Sequence, residues 1–592
     1  MMGCWGVYFA PYNIARLSAL TKEAGYATRS FDFNVDLYTT FKSNGLDKAW
    51  DSINYYWWND GNYQDKLHDA ALPHYAAYLD KIVASNPTVV GFSIYDTNKV
   101  PTYWMIRELK KRLPFVLVIA GGPSCHNPEY EAIDEIDYYV VGEGEQILLD
   151  MLENFENNVL PETKKLGTSY SDSRVDIDSL PFPDYSEFDL SLYTNGTGVS
   201  AEISRGCVAK CSFCTETWFW KFRDRQANRI LDEVEDQIKN YGITYVWFID
   251  SLVNGNLKEL RTFAKGAIEK QFNISWMGYV RCDGRMDADY FKDLKDSGAH
   301  YLSFGVESGS QKVLDLMKKK VMVSEIDANM RDCKNAGITV HVNWIVGFPN
   351  ENIKAHNDSL ILLWNNRNYM DLISTGMTLG DSRGTDFEFN REQYSMSNWD
   401  DKFWGWWYSK DLSNTKVHRL VRMKLLNIWL DICYNNGVLF NTQRRDIDSH
   451  YTLSKLKLVN PPDNITLDDF DFNIIKTDLG NFADTLMNEI WAFLRLMYRV
   501  AGGFEITLRF NREEDLVAFG DVMMVDRYDA TYNFSITDDG EWNADFVFAL
   551  QDNDEWRLPI HPDKSFTHHY VGTGQWTNAQ TALNKKIIWI QS

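Results

Sequence analysis

The chain has 592 residues, and its 60 Lys and Arg against 83 Asp and Glu leave a net charge of −23 on a mass of 68.7 kDa. A uniformly acidic surface repels phosphate, so neither a nucleic-acid partner nor attraction to an anionic bilayer is expected. With 44% hydrophobic and 24% charged residues, the composition is that of a globular chain of several domains.

No run of 18 apolar residues occurs and the mean hydropathy is −0.37, so no membrane span is expected. The first basic residue, Arg16, comes late for the charged region of a secretory signal, which points to the cytoplasm. Eight cysteines are too few for a disulfide framework, yet Cys207, Cys211 and Cys214 fall close together. In a reducing compartment such a group indicates metal or redox chemistry.

In chain order, short apolar runs at 6–9, 88–94, 115–120 and 138–141 alternate with helical stretches at 17–24, 103–112 and 145–155. This predicts an α/β domain over 1–165 with an open, doubly wound parallel sheet, whose ligands sit at the carboxyl ends of the strands. Residues 166–198, rich in Pro, Ser, Asp and Asn, read as a linker. Six further strands are predicted at 199–203, 245–249, 274–280, 301–306, 340–346 and 372–379, with a helix in each interval. They describe a partial (β/α)6 barrel over 199–390, with its chemistry at the strand C-terminal ends. An α+β portion over 391–592 follows, helical at 417–435 and 482–500 and strand-rich from 503. Its last 90 residues are acidic, with 7 basic and 15 acidic side chains. The aromatic run at 403–407 is read as closing the barrel mouth, with burial against a neighbouring helix as its simplest explanation.

The cysteines stand in Ser204-Arg205-Gly206-Cys207-Val208-Ala209-Lys210-Cys211-Ser212-Phe213-Cys214, directly after the first strand of the second series. Three thiolates spaced C-x3-C-x2-C can converge on one face of a [4Fe-4S] cluster, which would leave one iron open to a further ligand. A zinc site is the alternative, with Cys4, Cys125, Cys282 or a histidine as fourth ligand, but the spacing fits paired C-x2-C ligands poorly. Residues 205–229 also carry six basic side chains against two acidic ones. Such an excess either offsets cluster charge, meets an anionic ligand, or is a solvated helix start.

This segment resembles the radical S-adenosylmethionine (radical SAM) superfamily. Phe213 before the third cysteine, Phe248-Ile249-Asp250, the stretch Trp276 to Arg281, Phe304-Gly305-Val306-Glu307-Ser308-Gly309-Ser310, Val346-Gly347-Phe348-Pro349-Asn350-Glu351 and Arg383-Gly384-Thr385 follow in the family's order, each at an expected strand end. The resemblance implies that Cys207, Cys211 and Cys214 ligate the cluster and that SAM binds beside it. Arg281 would then pair with the SAM carboxylate or buttress a strand. Glu307 would accept from the ribose hydroxyls or form a salt bridge, Gly347 and Phe213 would flank the adenine, and Asp250 would lie near the amine. Tyr279, Cys282, His341 and Asn343 are weaker candidates for touching substrate.

The first domain lacks G-x-G-x-x-G, which disfavours a nicotinamide or flavin. Asp32-Phe33-Asn34, Val90-Gly91-Phe92-Ser93, Ala120-Gly121-Gly122-Pro123 and Val141-Gly142-Glu143-Gly144-Glu145 instead resemble the cobalamin-binding domains that precede the barrel in a class of radical SAM enzymes. That likeness assigns the nucleotide tail of cobalamin to Ser93, Gly121 and Gly122, although a Gly-Gly-Pro after a strand also makes a simple tight turn. No Asp-x-His-x-x-Gly motif is present. The lower face of the corrin is therefore expected to meet water or a group near Tyr12 or Asn13. A methylthiotransferase is disfavoured, because only Cys4 and Cys125 precede residue 200.

Together the resemblances imply reductive cleavage of SAM and cobalamin-dependent methylation of an unactivated carbon in a small-molecule or peptide substrate, with an electron donor such as flavodoxin or ferredoxin. A radical SAM cyclase, oxidoreductase or rearrangement catalyst is the alternative, and a cobalamin or cluster-based sensor the third.

Overall fold

The computed structural model describes residues 7–377, apart from short stretches at 52–53, 55–56, 59–62, 127–132, 168–174 and 217–219. It also describes 385–397, most of 407–433, and short segments at 451–454, 463–467, 489, 493, 505–510, 532–536 and 542–549. The chain divides into two compact units. One comprises Met1–Ala209, Thr215–Arg281 and Asp289–Ser303, and the other Lys210–Cys214, Cys282–Ala288 and Phe304–Ser592.

The first sheet is parallel and holds β1 (Val89–Ser93), β2 (Leu117–Gly121), β3 (Tyr138–Val140) and β4 (Lys165–Leu166) in that order. Its crossovers are the helices Lys99–Arg112 and Glu145–Glu156, as the alternation of apolar runs and helical stretches predicts. Strand β2 is buried along almost its whole length, and Leu117 and Ile119 pack with Tyr138, Val140, Met151 and Leu166.

The strand expected at 6–9 is not formed over its described residues, which are bends. The segment is apolar for another reason: the Phe9 ring stacks on Tyr245 at 5.7 Å and tilts against Trp247 at 5.6 Å. Its carbonyls at Val7 and Tyr8 accept from the amides of Thr194 and Asn195. Nor does a strand precede Asp32, whose carboxylate instead accepts from the Asn34 amide and caps the helix Phe33–Ser43.

The second series contains all six expected strands. They are β5 (Gly198–Ala201), then, beyond the short ribbon strands β6 (Ser204–Arg205) and β7 (Arg223–Asp224), β8 (Tyr245–Phe248), β9 (Ser275–Val280), β10 (Ala299–Glu307), β11 (Thr339–Val346) and β12 (Leu372–Met377). The sheet order is β5-β8-β9-β10-β11-β12, sequential as a partial barrel requires, and β5/β8, β8/β9 and β11/β12 pair in parallel. Period-two burial marks two different faces. In β9 Trp276 and Val280 are buried while Tyr279 is 40% exposed, and in β11 Val340, Val342, Trp344 and Val346 are buried while His341, Asn343 and Ile345 are half-buried. One face is thus covered and the other left accessible.

The helix expected at 417–435 forms as Lys416–Cys433. The strand-rich C-terminal part contributes an antiparallel sheet of β13 (Tyr451–Ser454), β14 (Glu505–Phe510), β15 (Tyr532–Ile536) and β16 (Trp542–Ala549), in the order β13-β14-β16-β15. The helix expected at 482–500 apart from residues 489 and 493, Arg383-Gly384 and most of the aromatic run at 403–407 lie outside the described residues. Trp407 is described and wholly buried.

The two glycines ending β2 differ in a testable way. Gly122 has φ +111° and a Cβ there would lie 2.6 Å from the Ile94 carbonyl oxygen, whereas nothing lies within 4 Å of a Cβ at Gly121. Gly122→Ala should therefore destabilise the protein by about 2 kcal/mol or more, and Gly121→Ala should leave the Tm unchanged in the cofactor-free protein.

Candidate functional site

Small residues mark the carboxyl ends of the first two strands of this sheet. Gly91, Ser93 and Gly121 lie on one face of the β1/β2 pair, in register Ser93 to Gly121, and an added Cβ at either glycine meets nothing within 4 Å. Such a cradle at the carboxyl ends of parallel strands suits a long nucleotide tail. The Ser93 hydroxyl accepts from Asn13 Nδ2 at 2.7 Å, and Asn98 Nδ2 donates to the Ser93 carbonyl. Gly122 has a conformational reason of its own, since its φ and the close approach of Ile94 admit only glycine. Tyr12 is buried and its hydroxyl accepts from Arg16, so it is engaged inside the unit rather than presented to a ligand.

The cysteine loop begins after β6. Strands β6 and β7 form an antiparallel ribbon with Ser204 opposite Asp224 and Arg205 opposite Arg223, and Gly206, at φ +79°, passes within contact of the Lys221 backbone. The ribbon pinches the base of the loop that carries the thiols. The amide of Ala209 donates to Cys207 Sγ at 3.4 Å. Cys214 N donates to the Cys211 carbonyl, closing a turn that Ser212 fastens to Leu316 and Met317 through its hydroxyl and amide. None of the described cysteines is in a disulfide. Among the described residues no group of three or more His, Cys, Asp or Glu side chains is gathered to hold a metal ion. The fit to a cluster is therefore one of donor chemistry: three thiols on one short loop, with an amide already directed at a sulfur.

Asp250 lies at the end of β8, wholly buried, and its carboxylate accepts from the amides of Ile203 and Ser204 and from the Ser204 hydroxyl. It ties the end of β8 to the chain that leads into the cysteine loop. Burial pushes this carboxyl up to about 7, against the pull of those hydrogen bonds. Arg281 follows β9, with its amide and carbonyl both bound by the Asn254 side chain.

In the second unit Glu307 ends β10 with φ +70°, a conformation few non-glycine residues adopt. Its carboxylate turns back over Gly305, where a Cβ would lie 2.7 Å from Oε1, and pairs with Lys319 Nζ at 3.3 Å. The salt bridge expected as one reading of Glu307 is thus present. Burial raises the Glu307 carboxyl against the pull of Lys319. Burial also opposes the charge of Lys319, but Glu307 and Cys211 hold its ammonium above the usual range. The same ammonium lies over the Phe213 ring at 6.0 Å, and Phe213 meets Phe348 edge-on at 6.3 Å.

Gly347, at φ +80°, leaves room for the stem of Arg419, whose Cγ would collide with a Cβ there. Arg419 stacks on Trp407 at 4.1 Å and donates to the Trp407 carbonyl and to Asn414 Oδ1, while Asn414 Nδ2 donates to the carbonyls of Gly347 and Phe348. Glu351 accepts from the Gly347 amide and pairs with Arg422 at 3.4 Å. His341 Nε2 is 2.8 Å from the Ser374 hydroxyl, and burial lowers this imidazole to about 4, so it is neutral at pH 7.

Three of the six basic side chains at 205–229 are held in ion pairs, while Lys210 and Lys221 are exposed. Arg205 meets Glu143, Glu145 and Glu202 at 3.1, 2.7 and 2.9 Å. Arg223 also pairs with Glu143, and Arg225 meets Glu233 at 2.9 Å. Arg229 donates to the carbonyls of Asp178 and Leu180. Sequence reasoning missed these acidic partners, as it missed Lys319 and Arg419. The Lys-Lys-Lys run at 318–320 looks solvated, and nothing local distinguishes Arg419.

Residues 201–362 match the radical SAM superfamily and residues 59–152 match the B12 binding domain. Among curated relatives, the anaerobic magnesium-protoporphyrin IX monomethyl ester cyclase of Cereibacter sphaeroides is 25% identical over 43% of this chain and 45% of its own. The cytidylyl-2-hydroxyethylphosphonate methyltransferase of Streptomyces wedmorensis is 26% identical over 44% and 58%. The chain thus spans about half the length of the curated relatives it matches. Among solved structures, the radical S-adenosylmethionine methyltransferase TsrM of Kitasatospora setae aligns over 65% of this chain and 74% of its own, with 16% identity and a TM-score of 0.47. No helix among the described residues is long and apolar enough to cross a membrane. The chain thus carries, in this order, a segment that matches the B12 binding domain and a segment that matches the radical SAM superfamily.

Proposed function

We propose that the protein is a cytoplasmic radical SAM enzyme that methylates an unactivated carbon of a small molecule or peptide, using cobalamin and electrons from a flavodoxin- or ferredoxin-like donor. The observation that carries this reading is the C-x3-C-x2-C loop directly after the first of six sequential strands, in a chain whose preceding segment 59–152 matches the B12 binding domain. Residues 1–165 serve as cobalamin domain, 166–198 as linker, 199–390 as barrel and 391–592 as the part that shapes the substrate pocket.

Bound together, the cluster, SAM and cobalamin supply radical generation and the methyl group. The protein's own residues supply ligands and order. Cys207, Cys211 and Cys214 bind the cluster. Ser93, Gly121 and Gly122 hold the cobalamin tail, the first through its hydroxyl and the second through the open space beside it. Glu307, whose carboxylate is paired with Lys319, would accept from the ribose hydroxyls, and Arg281 would pair with the SAM carboxylate. Phe213 and Gly347 would flank the adenine, with Arg419 and Asn414 fixing the Gly347 loop. Asp250 holds the chain entering the cysteine loop, beside which the SAM amine would lie. A second reading, a cyclase, is favoured by the name of the Cereibacter relative.

Anaerobic reconstitution should yield about one [4Fe-4S] cluster per chain and one cobalamin, and methyl-labelled SAM should pass label to product. Formation of deoxyadenosine with no labelled product would overturn methylation in favour of the cyclase reading, and a protein without cobalamin would overturn both cobalamin readings. Cys211→Ala should abolish reductant-dependent SAM cleavage while leaving cobalamin content unchanged.

Asp250 also sets a pH dependence. Its folded pKa of about 7 lies above the ordinary carboxylate value near 3.8, so the folded state binds the extra proton between those values. Stability from this group is full below about pH 4 and is lost as pH rises through 7. Asp250→Asn should flatten that part of the profile in urea unfolding measured from pH 4 to 8.

A further inference from the structure

The carboxylate of Glu143 has no assigned part in cofactor binding, yet it occupies an unusual position. It follows β3, between Gly142 at φ +105° and Gly144, in the segment that matches the B12 binding domain. Its side chain is 0% exposed. Two guanidiniums share it: Arg205 Nη1 donates at 3.1 Å and Arg223 Nη1 at 3.0 Å, and Arg223 Nη2 also donates. These arginines stand directly opposite each other on the β6/β7 ribbon, which closes the base of the cysteine loop two residues before Cys207.

Like charges directly opposite on an antiparallel pair repel and weaken it. Here the repulsion is offset by a carboxylate supplied from the segment after β3. Glu145 and Glu202 also neutralise Arg205 but do not pair with Arg223, so Glu143 alone among these glutamates bridges the two.

We infer that Glu143 is a positioning residue that clasps the β6/β7 ribbon, so that the end of the cobalamin-domain strand β3 and the base of the cysteine loop are ordered together. The functional consequence is a fixed placement of the two cofactor-binding segments. An enzyme that must pass a methyl group between separately held cofactors needs such placement, because small displacements of reacting groups cost large factors in rate. The inference rests on the functional reading above.

The test is peptide-resolved amide hydrogen exchange on the full-length protein before and after reconstitution with iron and sulfide, for the wild type and Glu143→Gln, with bound iron measured on the same samples. The expected result is that cluster loading slows exchange severalfold at residues 141–148, which are remote in sequence from the cysteines. Glu143→Gln should bind the same iron but lose that slowing. Equal slowing in both proteins, or none in the iron-loaded wild type, overturns the clasp while leaving the functional reading intact. A wild type that binds no iron overturns that reading and the clasp with it. Should Glu143→Gln fail to fold, the wild-type comparison still decides, because absence of slowing there is sufficient to reject the inference. A merely structural role would lower the Tm of the variant but would not transmit cluster loading to residues 141–148.

Discussion

The first unit depends on a buried balance of charge. Arg16, Arg205, Arg223 and Arg225 face Glu143, Glu145, Glu202 and Glu233, and most of these side chains are less than one-eighth exposed. Ions removed from water are tolerated only when paired, and loss of one partner leaves an uncompensated charge costing about 3–5 kcal/mol. Four positive and four negative groups therefore constrain one another. They belong to the helix Tyr12–Glu23, the end of β3, the segment 202–205, the ribbon and the helix Ala227–Tyr241, so the network sets how these elements lie within the unit. The chain is acidic overall, and the arginines 205, 223 and 225 of its local basic excess are paired inside.

The second unit applies the same physics to two strand-end loops. Glu307 occupies the left-handed region at a cost of the order of 1 kcal/mol or more, and the buried Lys319 beside it compensates while Gly305 makes room. At the next strand end, Gly347 is held by Arg419, Asn414 and Glu351, and Arg422 in turn pairs with Glu351 and Glu489. Burial pushes Glu351 up to about 7 despite Arg422, a measure of how dry this support is. Loops that must hold a ligand are here braced by groups that are not themselves ligands.

These braces also show where reading the residues one at a time stops. Gly121 and Gly122 are adjacent and look equivalent, but one borders open space and the other is required by its own backbone and by Ile94. The apolar run at 6–9 has the composition of a buried strand, yet its hydrophobicity serves to place Phe9 on the aromatic side chains of β8. Asp250 marks a strand end in the family pattern, and its carboxylate proves to be engaged by the chain entering the cysteine loop.

The sequence by itself determined the class of the chain and the order of its parts. Parallel strands and their crossover helices are written in local periodicity, and thiol spacing within one loop is a local property. All six strands of the second series could therefore be placed to within a few residues, along with the three cysteines. Only the tertiary structure decided which charges are partners. Glu143 and Arg205 are 62 residues apart, Glu143 and Arg223 80, and their meeting depends on how a sheet and a ribbon come together, which no window of sequence contains. The same holds for Arg419 against Gly347. Long-range pairing of buried polar groups is fixed by packing, because only in the folded interior does an unpaired charge become costly enough to select its partner.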